Sequence, residues 1–218
     1  MAVEKLTHDI MKVFVEIEQP MNFMAGQFAD IGLPGFGRHR SYSFANTPVT
    51  GGTSQLEFIV RSVSGGQYTQ WLFAQDRLGE PFELHGPQGS FWLRPAEAPV
   101  LCIAGGSGMA PILSILGDML NKRIERPVAF FFGARQTRDL YCLQQLESIR
   151  QQWPCEFRFV PVLSEEPEPS DWTGARGMVT EFLGREYAGF DIALSHAYLC
   201  GPPPMIDAAL AELQVCGL

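Results

Sequence analysis

Val100-Leu101-Cys102-Ile103-Ala104-Gly105-Gly106-Ser107-Gly108-Met109-Ala110-Pro111 decides the fold of the second half of this 218-residue chain. Its apolar opening has the length and character of a strand covered on both faces, as in a parallel sheet. Glycines follow at 105, 106 and 108, and residues 112–121 then have the spacing of a helix. Strand, glycine turn and helix make the context in which a phosphate can be held. The backbone amides come close to it, and the helix N-terminus adds about 0.3–1 kcal/mol per surface charge. Pro111 has no amide hydrogen and suits the first helical turn. The spacing is not G-x-G-x-x-G, and taken alone the same glycines serve a plain strand-to-helix turn.

The alternation continues towards the C-terminus. Residues 127–133 read as a second buried strand, and residues 141–152 as a helix with Leu143, Leu146 and Ile149 on one face. Residues 156–162 read as a third strand, 178–182 as a helix, 197–200 as a short strand and 205–213 as a last helix. Strands alternating with helices imply an α/β, doubly wound parallel sheet. Glu165-Glu166-Pro167-Glu168-Pro169 reads as a polar, mobile loop.

Towards the N-terminus the period changes to two. Lys12-Val13-Phe14-Val15-Glu16-Ile17-Glu18 alternates, with the β-branched residues on one face. Residues 27–33, 40–44, 56–61 and 81–85 are further strands, and residues 69–74 form one short helix. Turn residues at Pro34-Gly35, Asn46-Thr47-Pro48, Gly51-Gly52 and Gly86-Pro87 separate them. Many short strands with one helix fit a small antiparallel β-barrel. The chain therefore divides into two domains, residues 1–96 and 97–218, at a proline-bearing link.

Composition narrows the function. The net charge of −8 argues against nucleic acid or an anionic membrane surface as the main partner. No apolar run approaches a membrane span, and the N-terminus carries no apolar signal core, so a cytoplasmic protein is expected. The five cysteines are widely spaced. They fit neither a zinc knuckle nor a C-x4-C-x2-C iron–sulfur site, so no metal is expected on the chain; Cys102 reads as a core residue.

Two further motifs flank the glycine segment. In Arg40-Ser41-Tyr42-Ser43, Arg40 can neutralise a phosphate, Tyr42 can stack on a flat ring and Ser43 can hydrogen-bond a ring nitrogen. An edge strand with an exposed arginine accounts for the same residues. In Cys200-Gly201-Pro202-Pro203-Pro204-Met205, a rigid loop follows a strand, at the sheet edge where open parallel sheets bind ligands. A stiff strand-to-helix connection is the other reading.

In this order the motifs resemble the ferredoxin–NADP reductase superfamily, over nearly the whole chain. Residues 40–46, 66–72, 133–141 and 172–180 are most similar to the NADH-dependent reductase components of bacterial multicomponent oxygenases, such as those for benzoate, phenol, methane and carbazole. The resemblance implies FAD in the first domain. Arg40 would lie on its pyrophosphate, with Ser41 beside it, and Tyr42 against the ring. Ser43 would reach flavin N5, and Ile59, Val60 and Arg61 the ring edge and ribityl chain. Gly66, Gln67, Tyr68 and Thr69 would form a second phosphate clasp. Gly105, Gly106, Ser107, Gly108, Met109 and Pro111 would bind the nicotinamide nucleotide, and Cys200, Gly201 and Pro202 would shape the pocket around nicotinamide C4. Ser43 and Cys200 are the implied catalytic positions.

The resemblance also implies a reaction: hydride passes from the nucleotide to FAD, and electrons then leave singly for a [2Fe–2S] ferredoxin centre and a terminal oxygenase. Arg135 and Asp139 match NADH-type relatives, because a carboxylate reads the ribose hydroxyls; the neighbouring arginines leave NADPH open. Close relatives carry a fused ferredoxin domain and a further strand after the last helix. Both ends of this chain look short beside them, so the iron–sulfur centre is expected on a missing fused domain or a separate protein. A monomer is expected. A cytochrome b5 reductase-like enzyme or a free flavin reductase shares several of the motifs and is the alternative.

Overall fold

The computed structural model describes residues 1–33, 35 and 37–218; Pro34, of the expected Pro34-Gly35 turn, lies outside the described residues. The first half holds two three-stranded antiparallel sheets. Strands β1 (Ala2–Lys5), β2 (Ile10–Met21) and β5 (Thr53–Arg61) form the first, in the order β1-β2-β5. Strands β3 (Phe28–Gly32), β4 (Arg40–Ser43) and β6 (Glu83–Gln88) form the second, in the order β4-β3-β6. Among the described residues one bridge, Phe44 to Phe58, joins them. Their inner faces enclose Val13, Val15, Ala29, Ile31, Leu56, Phe58 and Val60, and Leu72 of helix α1 (Gln67–Ala74) closes the same core. Burying each larger side chain contributes about 1.5–3 kcal/mol. Strand β1 escapes a reading by periodicity because four residues, two of them charged, carry no usable alternation; it is held by pairing, Val3 opposite Val13.

The second half is a five-stranded parallel sheet in the order β10-β9-β8-β7-β11. Its strands are β7 (Val100–Gly105), β8 (Val128–Ala134), β9 (Phe157–Leu163), β10 (Ala175–Arg176) and β11 (His196–Cys200). Every residue of β7 is buried, as a strand covered on both faces requires. Helices α2 (Met109–Asn121), α3 (Leu143–Gln152) and α5 (Pro203–Val215) supply the cover, with the short α4 (Arg185–Ala188). The helix expected at 178–182 is one 3-10 turn, Val179–Phe182, because its few apolar residues cover only the end of the sheet. Two-residue β10 carries no period and was not expected. The acidic loop read as mobile is tied down. Glu166 accepts from the Thr137 amide at 2.7 Å, and Arg176 both donates to the Glu166 carbonyl and pairs with Glu168 at 3.3 Å.

Helix α2 binds the halves together. Nine of its residues are buried, so it is apolar nearly all round, as a helix between two layers must be. The Ser114 hydroxyl donates to the Asn46 carbonyl at 2.7 Å, and Gly117 leaves room for Thr47. Ile10, Ala25, Ala45 and Ile59 from the antiparallel half belong to the same core as β7 and α2. This packing sets the C-terminal ends of β7, β8 and β11 against β5, and the candidate site opens along that seam.

Candidate functional site

The seam holds two adjoining hollows. The larger, about 550 Å³, has the size of a ligand site. One wall is β4, with Arg40, Ser41, Tyr42 and Ser43; another is Ile59 and Arg61 of β5; a third is Gly66, Gln67, Tyr68 and Thr69. Gly105, Gly106, Ser107, Gly108, Cys200, Gly201 and Pro202 close it from the parallel half. The smaller hollow, about 190 Å³, lies between the ends of β7, β8 and β9 and is lined by Arg135 and Asp139. Arg61, Gly105, Gly106 and Pro202 line both. Three segments distant in sequence thus converge on one place.

Local physics explains the positions. Gly106 adopts φ +54°, and Tyr141 fixes the turn by donating its hydroxyl to the Gly106 carbonyl at 2.7 Å. Gly108 is small for a different reason: a β-carbon there would collide with the Cys200 carbonyl. The glycine turn and the Cys-Gly-Pro loop therefore specify each other. Gly105 similarly leaves room for the Met205 sulfur. Helices α1 and α2 both begin at the larger hollow, α1 after Gly66 and α2 after Gly108, and both of these glycines line it.

The ring-bearing residues are in place for a flat ligand. The Tyr42 and Tyr68 rings lie 5.7 Å apart, tilted by 32°. Burial pushes the Tyr42 hydroxyl up to about 12 and that of Tyr68 higher still, so both stay neutral. Burial likewise pushes the Cys200 thiol up to about 11, making it a small neutral hydrophobe rather than a nucleophile. Cys102, in mid-strand, is fully buried, and its thiol is held at about 12.

Some expected residues are placed otherwise. Val60 is buried in the core between the antiparallel sheets, since neighbours on a strand face opposite ways. Met109 packs into the shared core and Pro111 is buried, and neither lines a hollow; Ala110, buried in the same core, does line the larger one. The Thr69 hydroxyl closes its own turn, bonding the Val63 amide at 3.0 Å and the Gly66 carbonyl at 3.1 Å. Asp139 accepts from the Gln136 amide at 2.9 Å, which caps the turn it belongs to.

Asp9 is the main residue that pattern reading missed. It lies in the turn between β1 and β2, outside every motif, yet it lines the smaller hollow. Its Oδ2 takes the Arg61 Nε at 3.0 Å and lies 3.4 Å from the Arg135 Nη2, so it links the two halves. Burial opposes its ionisation. Hydrogen bonds from Arg61 and Thr7 and the Arg61 charge outweigh that and hold its carboxyl below the usual range. The one local signal is Thr7-His8-Asp9, a turn-forming triplet just before the alternating strand.

Comparison with known proteins agrees with this architecture. Residues 1–92 match the family described as the oxidoreductase FAD-binding domain, and residues 102–210 the oxidoreductase NAD-binding domain. The chain is 44% identical over 220 residues to the electron transfer component XylA of xylene/toluene monooxygenase from Pseudomonas putida, covering 99% of this chain and 60% of that one. Among solved structures, the cytochrome P450 reductase GcoB of Amycolatopsis superposes with a TM-score of 0.87 at 35% identity, covering 98% of this chain and 63% of that one. The ferredoxin reductase of carbazole 1,9a-dioxygenase gives 0.88 at 30% identity, covering 100% and 64%. The chain spans about 60% of the length of the curated relatives it matches.

Proposed function

Starting from a chain that belongs to the oxidoreductase NAD-binding family and carries an FAD-binding domain before it, we propose that it is the flavin- and NADH-binding part of an oxygenase reductase. It would pass electrons to a [2Fe–2S] ferredoxin centre, on a separate protein or a fused domain, and so to a terminal oxygenase. The observation that carries this is the convergence of Arg40–Ser43, Gly105–Gly108 and Cys200–Pro202 on one hollow. The flavin supplies the chemistry when bound, accepting hydride and releasing single electrons.

The chain's own residues bind and align. Arg40, with the N-terminus of α1, suits a pyrophosphate, and the neutral Tyr42 and Tyr68 rings suit a flat heterocycle. Ser43 offers a hydroxyl at the ring edge. The Gly105–Gly108 turn and the amides of α2 suit the nucleotide phosphates. Cys200 and Gly201 would shape the nicotinamide pocket without adding charge, and alignment of this kind contributes on the order of several kcal/mol to barrier lowering. Val60, Met109 and Pro111 support these groups from the core. We assign the domain division to the link at residues 96–97, the working place to the cytoplasm, where NADH is the abundant reductant, and the working form to a monomer.

The test is a visible absorption spectrum of the purified protein, before and after anaerobic NADH. A two-band flavin spectrum that bleaches within seconds supports the reading, and NADPH in parallel reads the preference. A protein that takes up no added FAD overturns it.

A further inference from the structure

We propose that Asp9, a residue of the flavin half, sets the coenzyme preference of the nucleotide hollow by holding Arg135 away from the adenosine ribose, so that NADH is accepted and NADPH refused. The inference rests on the reductase reading above and extends it to a residue outside the nucleotide-binding half.

The topology fixes where the adenosine 2′ position is read. In a doubly wound sheet that place lies beyond the C-terminal end of the second strand, where a carboxylate suits ribose hydroxyls and an arginine suits a 2′-phosphate. Here β7 is the first strand and β8 the second, and Arg135 directly follows β8. A phosphate reader needs its guanidinium fork open to the ligand. One arm of the Arg135 fork is engaged: its Nη2 donates to the Asp9 Oδ2 at 3.4 Å, and its Nε is drawn to within 4.0 Å of the Asp139 Oδ2.

Asp9 is the fixed member of this group. Its side chain is 18% exposed, against 46% for Arg135. Thr7 donates to the Asp9 Oδ1 at 3.1 Å and accepts from the Asp9 amide at 3.2 Å, and Arg61 donates to the Asp9 Oδ2 at 3.0 Å. Arg135 therefore conforms to Asp9. The two arginines and two aspartates cancel in charge, and His8 faces the Asp139 Oδ1 at 3.4 Å. A 2′-phosphate entering here meets two carboxylates and no net positive charge, whereas a neutral ribose meets acceptors for its hydroxyls. Arg138, the other cation of this loop, is exposed and lines neither hollow.

The experiment uses the FAD-loaded protein and compares kcat/KM for NADPH and NADH in Asp9→Asn. Asparagine keeps the size and can keep the Thr7 bonds but releases Arg61 and Arg135, and the Arg135→Gln background below separates the two. The NADPH-to-NADH ratio should rise about tenfold or more, the effect of one recovered phosphate contact. In an Arg135→Gln background the same change should leave the ratio within about twofold, because the cycle isolates the Asp9–Arg135 coupling. Asp9→Glu, which keeps the charge, should keep the preference for NADH. An unchanged ratio in an Asp9→Asn protein that retains FAD overturns the inference, as does an equal rise with and without Arg135. Binding of adenosine 2′,5′-bisphosphate against ADP reads the same preference without turnover. If neither coenzyme reduces the wild type while this binding shift appears, the reductase reading fails and the inference about Asp9 stands.

Discussion

The two hollows are built in different ways. The larger takes its walls from runs of adjacent residues, 40–43, 66–69, 105–108 and 200–202, each a turn or strand end that delivers several groups at once. The smaller also has runs, 132–135 and 177–179, but it is completed by residues that stand apart from them, such as Asp139 and, from the other half of the molecule, Asp9. A site made of runs leaves motifs in the sequence. A residue that stands apart leaves none, because it looks like an ordinary loop residue until the fold brings it in. The strongest way to break this contrast is to strike the glycine turn beside the wall that the two hollows share. Gly108→Ala sets a β-carbon against the Cys200 carbonyl, a backbone atom that cannot turn aside. Overpacking of this kind costs about 1–3 kcal/mol, or roughly 2–12 °C in melting temperature for a chain of this size. Calorimetry with and without FAD should show the loss in both states. A melting temperature unchanged by the substitution would mean that the turn and the Cys-Gly-Pro loop do not constrain each other.

The same contrast explains how much was legible in advance. The parallel half was readable because a strand buried on both faces must be apolar throughout, as β7 is, and because glycine before a helix marks a tight turn. The antiparallel half was readable from alternation in β2 and β5, whereas β1 was too short to alternate. Within the site, a contiguous motif names too much. In residues 105–111 Met109 and Pro111 are buried and line neither hollow while Ala110, buried as well, borders the larger, and in residues 59–61 the pleat turns Val60 inward. Patterns in one dimension cannot say which side of an element faces the ligand unless the partner element is known. They also cannot name Asp9, whose role exists only through Arg61 and Arg135.

If the larger hollow is the flavin site, its charge and its ring-edge hydroxyl should separate in experiment. Arg40→Ala removes the cation from the wall facing α1. A charge-assisted hydrogen bond contributes about 1.5–3 kcal/mol, so FAD affinity should fall about tenfold to a hundredfold, read by flavin fluorescence on titration. NADH should still reduce whatever flavin is bound. Ser43→Ala should do the reverse, leaving FAD content at the wild-type level and slowing anaerobic flavin reduction about tenfold, equivalent to about 1.4 kcal/mol of barrier. Stopped-flow traces that match the wild type would remove Ser43 from the reaction.

A milder change sharpens the contrast from the nucleotide side. Tyr141→Phe deletes only the bond to the Gly106 carbonyl, leaving the ring against Phe132, 5.7 Å away, in place. Losing one hydrogen bond to a buried carbonyl costs about 0.5–1.5 kcal/mol. The glycine turn should loosen, and KM for NADH should rise about threefold to tenfold with FAD retained. A loss of FAD instead would show that Gly106 serves the flavin side of the shared wall more than the nucleotide side.

The smallest effect at neutral pH is expected at Cys200, although it stands at the centre of a motif. Burial holds its thiol at about 11, against an ordinary value of 9.0. The neutral form is the one that the fold favours. That contribution is complete below the unfolded thiol's value, and it is lost as pH rises through the folded value. Between pH 6 and 9 the thiol therefore stays protonated, and neither flavin reduction nor stability should show a break that disappears in Cys200→Ala. From pH 9 to 11 the wild type should lose more stability than the variant. Cys142, held at about 11 by its own burial, is present in both proteins, so the difference between them isolates Cys200. At pH 8 an alkylating reagent should modify exposed Cys155 first and spare Cys200. Rapid alkylation of Cys200 with loss of NADH-driven reduction would instead identify a reactive thiolate in the hollow, and its role beside the nucleotide would then be chemical rather than steric.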